Sequence, residues 1–180
     1  MQDARSSTAT VSPSDFTDLI PALRAFARTF CRNSVDADDL VQETLMKGIA
    51  AVDSFQPGTN LKSWLFTIMR NTFYTRAKLA QRESPGLMDC ASARPTMPAS
   101  QDWSQRGREI AQAIDELPED QRQVIMLIGV LGVSYDDAAT ICHCAIGTIK
   151  SRLNRARARL LHNLGEPSTR EAVLTPVVRP

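Results

Sequence analysis

The apolar residues of this chain recur every three or four positions along most of its length, and this spacing restricts the possible folds more than any other feature of the sequence. Apolar side chains spaced in this way line one face of an α-helix. No segment shows the strict alternation of apolar and polar residues that is typical of a half-buried β-strand. The sequence therefore predicts an all-α fold.

A segment of different composition divides the helical pattern into two units. Between residues 83 and 104, Pro85, Gly86, Pro95 and Pro98 lie among Ala, Ser and Thr without helical spacing, which is typical of a flexible linker. The sequence thus predicts two small helical domains that are tethered to each other. The expected boundaries are a disordered tail at 1–14, a first domain at 15–82, the linker at 83–106, a second domain at 107–165 and a tail at 166–180.

Three helices are predicted in the first domain. The first runs from Phe16 to Cys31, and the third is capped by Asn60 and runs to about Lys78. The second begins after Asp36, whose carboxylate suits an N-cap. The buried stripe of this second helix is predicted to contain Leu40, Val41, Leu45, Ile49 and Val52.

The second domain is predicted to end in a helix-turn-helix. Ser134 and Asp137 form a capping-box pattern, and Cys142-His143-Cys144 makes the turn before a longer basic helix. Pro118 suits the first position of a helix because it has no N–H to leave unsatisfied. Helices are predicted at 109–117, from Pro118 to about Val130, after the N-cap Ser134, and from Ala145 to about Leu164.

The net charge of +1 conceals an uneven distribution of charge. Residues 54–82 carry five cations and no acid, and residues 138–165 carry five more cations, again without an acid. Acidic residues cluster before each basic segment, at 36–53 and at 109–120. Two basic and two acidic faces fit a protein that holds a polyanion on one side and another protein on the other. On charge alone, ordinary solvated faces are the alternative.

Several kinds of protein are disfavoured. No apolar run reaches the roughly 20 residues that span a bilayer, and residues 1–14 lack the apolar stretch of an export signal, so we expect a cytoplasmic protein without a membrane partner. Neither His143 nor His162 belongs to a nucleophile–base set, so no enzyme activity, cofactor or small-molecule substrate is expected. Cys142, His143 and Cys144 lack the further ligands of a closed zinc site, and no metal is expected.

The last predicted helix has one apolar face and one basic, polar face. Its apolar residues fall within an arc of about 80° on a helical projection. The opposite face carries cations, an amide and a hydroxyl, which are the groups that read base edges in a DNA major groove. Arginines on the flanks suit phosphates. The apolar stripe is Ile146, Ile149, Leu153, Ala156 and Leu160, and the opposite face is Lys150, Ser151, Asn154 and Arg155.

The predicted helix-turn-helix resembles a known DNA-binding module. Residues 145–157, Ala-Ile-Gly-Thr-Ile-Lys-Ser-Arg-Leu-Asn-Arg-Ala-Arg, resemble the recognition helix of region 4 in extracytoplasmic-function (ECF) sigma factors. The preceding Ser134-Tyr135-Asp136-Asp137-Ala138-Ala139 resembles the supporting helix of that region. The resemblance implies that Thr148 and Arg152 contact the DNA backbone. It implies contacts with bases of the promoter −35 element for Lys150, Ser151, Asn154 and Arg155.

The N-terminal half carries a second resemblance. Residues 38–47, Asp-Asp-Leu-Val-Gln-Glu-Thr-Leu-Met-Lys, resemble sigma region 2.2, the helix that docks on RNA polymerase. The resemblance assigns Asp39, Gln42 and Glu43 to polymerase binding, and an acidic, amide-bearing patch suits a basic partner. Plain surface charge is the alternative when these residues are taken alone.

Residues 55–65 and 70–74 resemble sigma regions 2.3 and 2.4, which open the promoter −10 element and hold its non-template strand. Aromatic residues interleaved with cations suit a single strand, because bases stack on rings while phosphates meet Arg and Lys. Trp64 borders the apolar stripe and is expected in the core. The residues assigned to the −10 element are Asn60, Ser63, Arg70, Asn71 and Tyr74.

The chain is thus identified as a member of the ECF sigma-70 family. Phe55-Gln56-Pro57-Gly58-Thr59-Asn60-Leu61 and Ile141-Cys142-His143-Cys144-Ala145 are most similar to the general-stress (EcfG-type) members of alphaproteobacteria. The resemblance implies promoter-specific initiation with core RNA polymerase in a stress response, under control of a small anti-sigma factor. A sigma-mimicking interaction protein that sequesters an anti-sigma factor and a helix-turn-helix repressor are the alternatives.

Overall fold

The computed structural model describes residues 11–31, 33–83 and 105–165, and every regular element within those ranges is a helix. The all-α fold predicted from the spacing of the apolar residues is confirmed. Residues 1–10 of the predicted N-terminal tail, nearly all of the predicted linker and the whole predicted C-terminal tail lie outside the described residues.

The N-terminal unit begins with two short helices where one long helix was predicted at residues 16–31. The chain breaks at Leu19, the C-cap of the first helix, and Pro21 in the next turn has no N–H to continue the hydrogen bonding. The first helix begins at Pro13, inside the segment predicted as a tail. The elements of this unit are α1 (Pro13–Asp18), α2 (Ile20–Ala27), α3 (Ser34–Ala50), the 3₁₀ turn Val52–Ser54 and α4 (Leu61–Glu83).

Helix α3 starts earlier than the sequence predicted. Its N-cap is Asn33, whose Oδ1 accepts a hydrogen bond from the Asp36 N–H at 2.7 Å. The Asn33 amide donates in return to the Asp36 carboxylate at 2.8 Å. The prediction of Asp36 as the cap is therefore wrong, and Asp36 instead places its negative charge in the first turn, where the helix dipole favours it.

Of the predicted buried stripe, Leu40 and Val41 are buried and Leu45 is half-buried. Val52 is half-buried but lies in the 3₁₀ turn after α3, and Ile49 is 58% exposed, so the prediction is wrong there. Ile49 follows Leu40 by nine positions and therefore lies about 180° around the helix from it. The buried side of α3 passes through Gly48 instead. A Cβ atom at Gly48 would lie 2.6 Å from Cδ2 of Leu65, so the absent side chain lets α3 and α4 approach closely.

Aromatic rings fill the centre of the N-terminal unit. The ring of Phe26 lies 4.9 Å from that of Phe66 and 4.9 Å from that of Phe30. Leu65 and Met69 of α4 are fully buried beside them. Asn60 caps α4 as predicted, since its Oδ1 accepts from the Ser63 N–H at 3.3 Å. The helix continues five residues beyond the predicted end at Lys78.

The C-terminal unit contains the predicted helix-turn-helix. Its elements are α5 (Gln105–Asp115), α6 (Glu119–Ile125) with a π-helical turn at Met126–Val130, α7 (Tyr135–Cys142) and α8 (Ile146–Asn163). Pro118 is the N-cap of α6 rather than its first residue. The core of this unit consists of buried residues from α6, its π-helical turn, α7 and α8, including Val124, Leu127, Ile141, Ile149 and Leu153.

The turn between α7 and α8 depends on His143. This residue is the C-cap of α7 and adopts the left-handed conformation, with φ 50° and ψ 47°. Left-handed backbone favours glycine and is uncommon for other residues, although His is among those that tolerate it best. The imidazole is exposed, and its Nε2 lies 2.8 Å from Oδ1 of Asn71 in α4.

The two units pack directly against each other. Helix α7 lies on α4, and the π-helical turn contacts α2. Hydrogen bonds cross the contact from Lys62 Nζ to the Leu131 carbonyl at 2.8 Å and from Arg122 Nε to the Thr29 carbonyl at 3.2 Å. Nothing in the local sequence pattern had indicated this contact.

Candidate nucleic-acid interface

Helix α8 presents the basic face that its sequence predicts. Ile149, Leu153 and Ala156 are buried, whereas the four residues assigned to the −35 element are all exposed on the other side. Ile146, the first residue of the predicted apolar stripe, is 40% exposed at the start of the helix. The structure therefore brings together the candidate base-reading residues Lys150, Ser151, Asn154 and Arg155.

Hydrogen bonds between neighbouring turns of α8 organise part of this face. The Ser151 hydroxyl donates to the Thr148 carbonyl at 3.0 Å. Arg155 lies over the same turn, with its Nη2 at 3.4 Å from the Ser151 hydroxyl. These contacts hold the guanidinium along the helix surface, where its remaining N–H groups are available for acceptors outside the chain.

The two residues assigned to the DNA backbone are less accessible. Thr148 is half-buried, and so is Arg152. Arg152 Nε donates to the Asp120 carboxylate at 3.1 Å, and its Nη1 lies 3.9 Å from the Cys144 sulfur. Arg152 thus ties α8 to α6, and a contact with DNA phosphate would compete with Asp120.

The face of α4 assigned to the −10 strand lies mostly at the contact with the C-terminal unit. Ser63 is only 7% exposed, and its hydroxyl donates to the Asp137 carboxylate at 3.1 Å. Tyr74 donates its hydroxyl to Glu119 at 2.7 Å. Asn71 is exposed but bonded to His143 as described above. These three side chains lie on one side of α4, where the C-terminal unit covers Ser63 and leaves Asn71 and Tyr74 exposed at the edge of the contact.

An open cleft of about 360 Å³ remains at the edge of this contact. The Arg70 guanidinium lies over the Tyr74 ring, 4.6 Å from its centroid. Arg70 Nε is buried and has no hydrogen-bond partner among the described residues. Burial raises the pKa of the Tyr74 phenol above its ordinary value, so the hydroxyl remains a donor at neutral pH. The cleft is lined by Arg70, Asn71, Tyr74, Thr75, Lys78 and His143.

Trp64 and Asn60 both contribute to the packing and capping of the N-terminal unit. Trp64 is half-buried, with its ring 5.3 Å from that of Phe55 and its Cζ3 atom near Gly48. It packs at the margin of the core, close to the position expected for it. Asn60 uses its side chain as the cap of α4, so its assigned contact with DNA would have to come from its amide nitrogen.

The candidate polymerase-binding residues lie on the exposed side of α3. Asp39 and Gln42 are exposed, and neither side chain has a hydrogen bond or an ion pair with the described residues. Glu43 is half-buried and pairs with Lys47 at 2.7 Å and with Arg76 of α4. The hydrogen bond from Lys47 and the charge of Arg76 hold the pKa of the Glu43 carboxyl below its ordinary value.

Apolar side chains that the sequence reasoning missed extend this α3 face. Val35, Met46 and Ile49 are 67%, 72% and 58% exposed. Together with Asp39 and Gln42 they fall within an arc of about 80°. The face thus combines apolar and acidic groups, which is typical of a protein-binding surface rather than of a solvated one. The sequence did contain a signal for this face, because these apolar residues recur at helical spacing on the side of α3 opposite its buried stripe.

The cysteines of the helix-turn-helix take part in packing. Cys142 is buried and Cys144 is half-buried. Burial raises the pKa of the Cys142 thiol to about 11, so it remains protonated at neutral pH. The described residues contain no cluster of three or more potential metal ligands.

Comparisons with known proteins match both helical units of the chain. The family models Sigma-70 region 2 and Sigma-70, region 4 match residues 16–83 and 107–160. The ECF RNA polymerase sigma factor EcfG of Rhodopseudomonas palustris is 47% identical over 146 residues, which cover 81% of each chain. The chain belongs to the ECF sigma factors.

Further relatives of this sigma factor cover similar shares of the chain. The ECF sigma factor SigC of Mycobacterium tuberculosis is 37% identical over 129 residues, 69% of this chain and 68% of SigC. Among solved structures, the sigma factor RpoE in complex with the anti-sigma factor NepR from Bartonella quintana matches with a TM-score of 0.73 and 46% identity, covering 84% of this chain and 95% of the matched chain.

The N-terminal unit of this sigma factor is therefore region 2, and its C-terminal unit is region 4. The predicted family and the predicted two-domain, all-α architecture are confirmed. Within the described residues, no helix is long and apolar enough to cross a membrane.

Proposed function

We propose that this sigma factor binds core RNA polymerase through α3 and directs it to promoters by reading the −35 element with α8 and the melted −10 strand with α4. The exposed basic face of α8 carries this proposal most directly. It combines Lys150, Ser151, Asn154 and Arg155 over a buried apolar side, so these groups can enter a major groove without disturbing the fold.

The face of α3 supports a protein partner. Asp39 and Gln42 supply polar groups without partners among the described residues, and Met46 and Ile49 supply apolar area beside them. A basic partner surface with apolar pockets would complement all four. Polymerase performs the chemistry in this scheme, so the sigma factor itself needs no catalytic residues, and it acts in the cytoplasm where polymerase is found.

The linker between the two regions and an inhibitory partner protein would organise and control this activity. Residues 83–106 would tether region 2 (15–82) to region 4 (107–165), so that binding of one promoter element raises the effective concentration of the other contact. The similar sigma factor RpoE forms a complex with the anti-sigma factor NepR. We extend this to a small anti-sigma factor as a partner here, with release of the sigma factor during a stress response.

In vitro transcription from a promoter library with purified core polymerase tests the proposal. The wild-type chain should direct initiation at a defined set of promoters. The Asp39→Ala, Gln42→Ala double variant should load onto core polymerase about tenfold less well. Asp53→Ala is the control, because Asp53 is exposed in the 3₁₀ turn outside this face. A chain that binds promoter DNA alone and is indifferent to polymerase would be a repressor instead.

A further inference from the structure

Glu43 lies on a different part of α3 from the two residues proposed to contact polymerase. On a helical projection Asp39 lies at one edge of the exposed arc, and Glu43 falls about 40° beyond it, towards the buried side. The Glu43 side chain is only 27% exposed, whereas Asp39 and Gln42 are both exposed. The resemblance to region 2.2 groups the three residues, but the fold places Glu43 next to α4.

Both carboxylate oxygens of Glu43 have cationic partners within region 2. Its Oε1 lies 2.7 Å from Nζ of Lys47, one turn further along α3. Its Oε2 forms an ion pair with the Arg76 guanidinium of α4. A polymerase group that bound this carboxylate would have to displace at least one of the two cations.

Lys47 extends this link to a buried part of α4. Its Nζ also donates to the Thr72 hydroxyl at 3.2 Å, and Thr72 is only 3% exposed. Thr72 and Arg76 are one turn apart on α4, as Glu43 and Lys47 are on α3. The four side chains therefore join the two helices over a full turn of each. Exposed ion pairs contribute most when several of them form one network, as they do here.

Arg76 lies on the side of α4 away from the proposed strand-binding face. It follows Tyr74 by two positions and therefore lies about 160° around the helix from it. The cleft beside Tyr74 is lined by Arg70 and Lys78 but not by Arg76. The basic segment at 54–82 thus contains a cation whose charge is directed to α3 rather than to a nucleic acid.

We infer that Glu43 is a positioning residue rather than a polymerase contact: with Arg76 and Lys47 it fixes α4 against α3, and so sets where the strand-binding face lies relative to polymerase bound on α3. The inference rests on the proposed function, because it assumes that polymerase binds α3 and that α4 holds the melted strand. Breaking the link should leave polymerase binding intact and slow the capture of the strand.

A double-mutant cycle in the full chain tests the link, with Glu43→Gln, Arg76→Gln and the two combined. Competition with labelled wild type measures affinity for core polymerase. Permanganate reactivity of the −10 thymines, at saturating sigma factor, measures the rate of promoter opening. Each single variant should bind polymerase within about twofold of wild type and open the promoter about fivefold more slowly. The double variant should be no slower than the single variants, because either substitution already breaks the link.

An exchange of the two charges provides a rescue. Glu43→Arg combined with Arg76→Glu moves the anion to α4, one turn from the Thr72 hydroxyl that Lys47 already reaches. This variant should open promoters within about twofold of wild type, whereas Arg76→Glu alone should be slower than Arg76→Gln. Arg82→Gln is the matched control and should behave as wild type, since it removes one exposed cation of α4 that has no ion pair among the described residues.

Each possible failure has a separate meaning. If Glu43→Gln loses as much polymerase affinity as the Asp39→Ala, Gln42→Ala variant, Glu43 contacts polymerase directly and the inference is overturned. Unchanged opening in the single variants, losses that multiply in the double variant, or an equal loss in Arg82→Gln would overturn it as well. So would a charge-exchange variant that is as stable as wild type in urea but opens promoters no faster than Arg76→Glu. If wild type itself neither binds core polymerase nor opens promoters, the proposed function fails instead.

Discussion

Arg152 and Arg155 show how neighbouring arginines on one helix come to have different roles. Both belong to the same basic segment, but Arg152 is half-buried and bonded to Asp120 of α6, whereas Arg155 is exposed along α8. Arg152 supports the orientation of the helix-turn-helix and has fewer N–H groups available for DNA. Arg155 has the exposure that base recognition requires.

Replacing Arg155 by Ala should cost about 1–3 kcal/mol of binding free energy at the −35 element and relax its sequence specificity, since a base contact is lost. Transcription from promoters with single −35 substitutions measures this. Arg157→Ala is the comparison, because Arg157 is exposed on the flank of α8. It should weaken binding evenly and lower the salt slope by about one. Unchanged specificity in Arg155→Ala would contradict the assignment of this face.

At the scale of the elements, the contact of α3 with α4 sets the geometry of region 2. Gly48 is buried at their closest approach, with Phe16 and Leu65 next to it. This contact orients α3 so that Asp39 and Gln42 face outward while α4 presents Ser63 and Tyr74 on another side. The two proposed functions of region 2 therefore depend on the same helix pair.

Gly48→Ala should destabilise the fold by about 1–2 kcal/mol, because the new Cβ would meet Leu65 Cδ2 at 2.6 Å and Leu65 is fully buried. Gly147→Ala in α8 is the matched control, since a Cβ there meets no heavy atom within 4 Å. It should raise stability by about 0.5–1 kcal/mol through helix propensity. Urea unfolding followed by circular dichroism measures both. A Gly48→Ala protein as stable as wild type would show that α3 and α4 can separate without cost.

At the scale of the whole molecule, the contact between the two regions leaves the two proposed DNA-binding faces unequally exposed. Region 4 covers α4 with α7 while α8 points its basic face to solvent. Duplex DNA could therefore bind α8 in this arrangement, whereas a melted strand could reach Ser63 of α4 only when the two regions separate. Such an order would suit a protein that first locates a promoter and then holds its separated strand.

A variant of the full chain that combines Asp137→Ala with Glu119→Ala loses the hydrogen bonds from Ser63 and Tyr74. It should bind −35 duplex DNA as wild type does, within about twofold, because neither residue lies on the exposed face of α8. Fluorescence anisotropy with a duplex taken from a promoter that the holoenzyme transcribes measures this affinity. Arg155→Ala is the positive control for a weakened duplex contact. A higher duplex affinity of this variant than of wild type would mean that the contact between the regions also masks α8.

The sequence by itself determined the helices, their buried faces and the family. Apolar spacing depends only on residues within a few turns, so it located the buried stripe of α8, and the motif at 145–157 identified region 4. The same reasoning was wrong where a competing local signal existed, as at Pro21, which divides the first predicted helix, and at Asn33, which caps α3 ahead of Asp36.

Only the tertiary structure decided which polar side chains have partners within the chain. Ser63 meets Asp137 across 74 residues of sequence, and Tyr74 meets Glu119 across 45. Helical periodicity places such residues on a face but contains no information on what lies opposite that face. Hydrogen bonds and charge pairs between distant segments form only when the whole chain packs, and here they cover Ser63 of α4 while the basic face of α8 stays exposed.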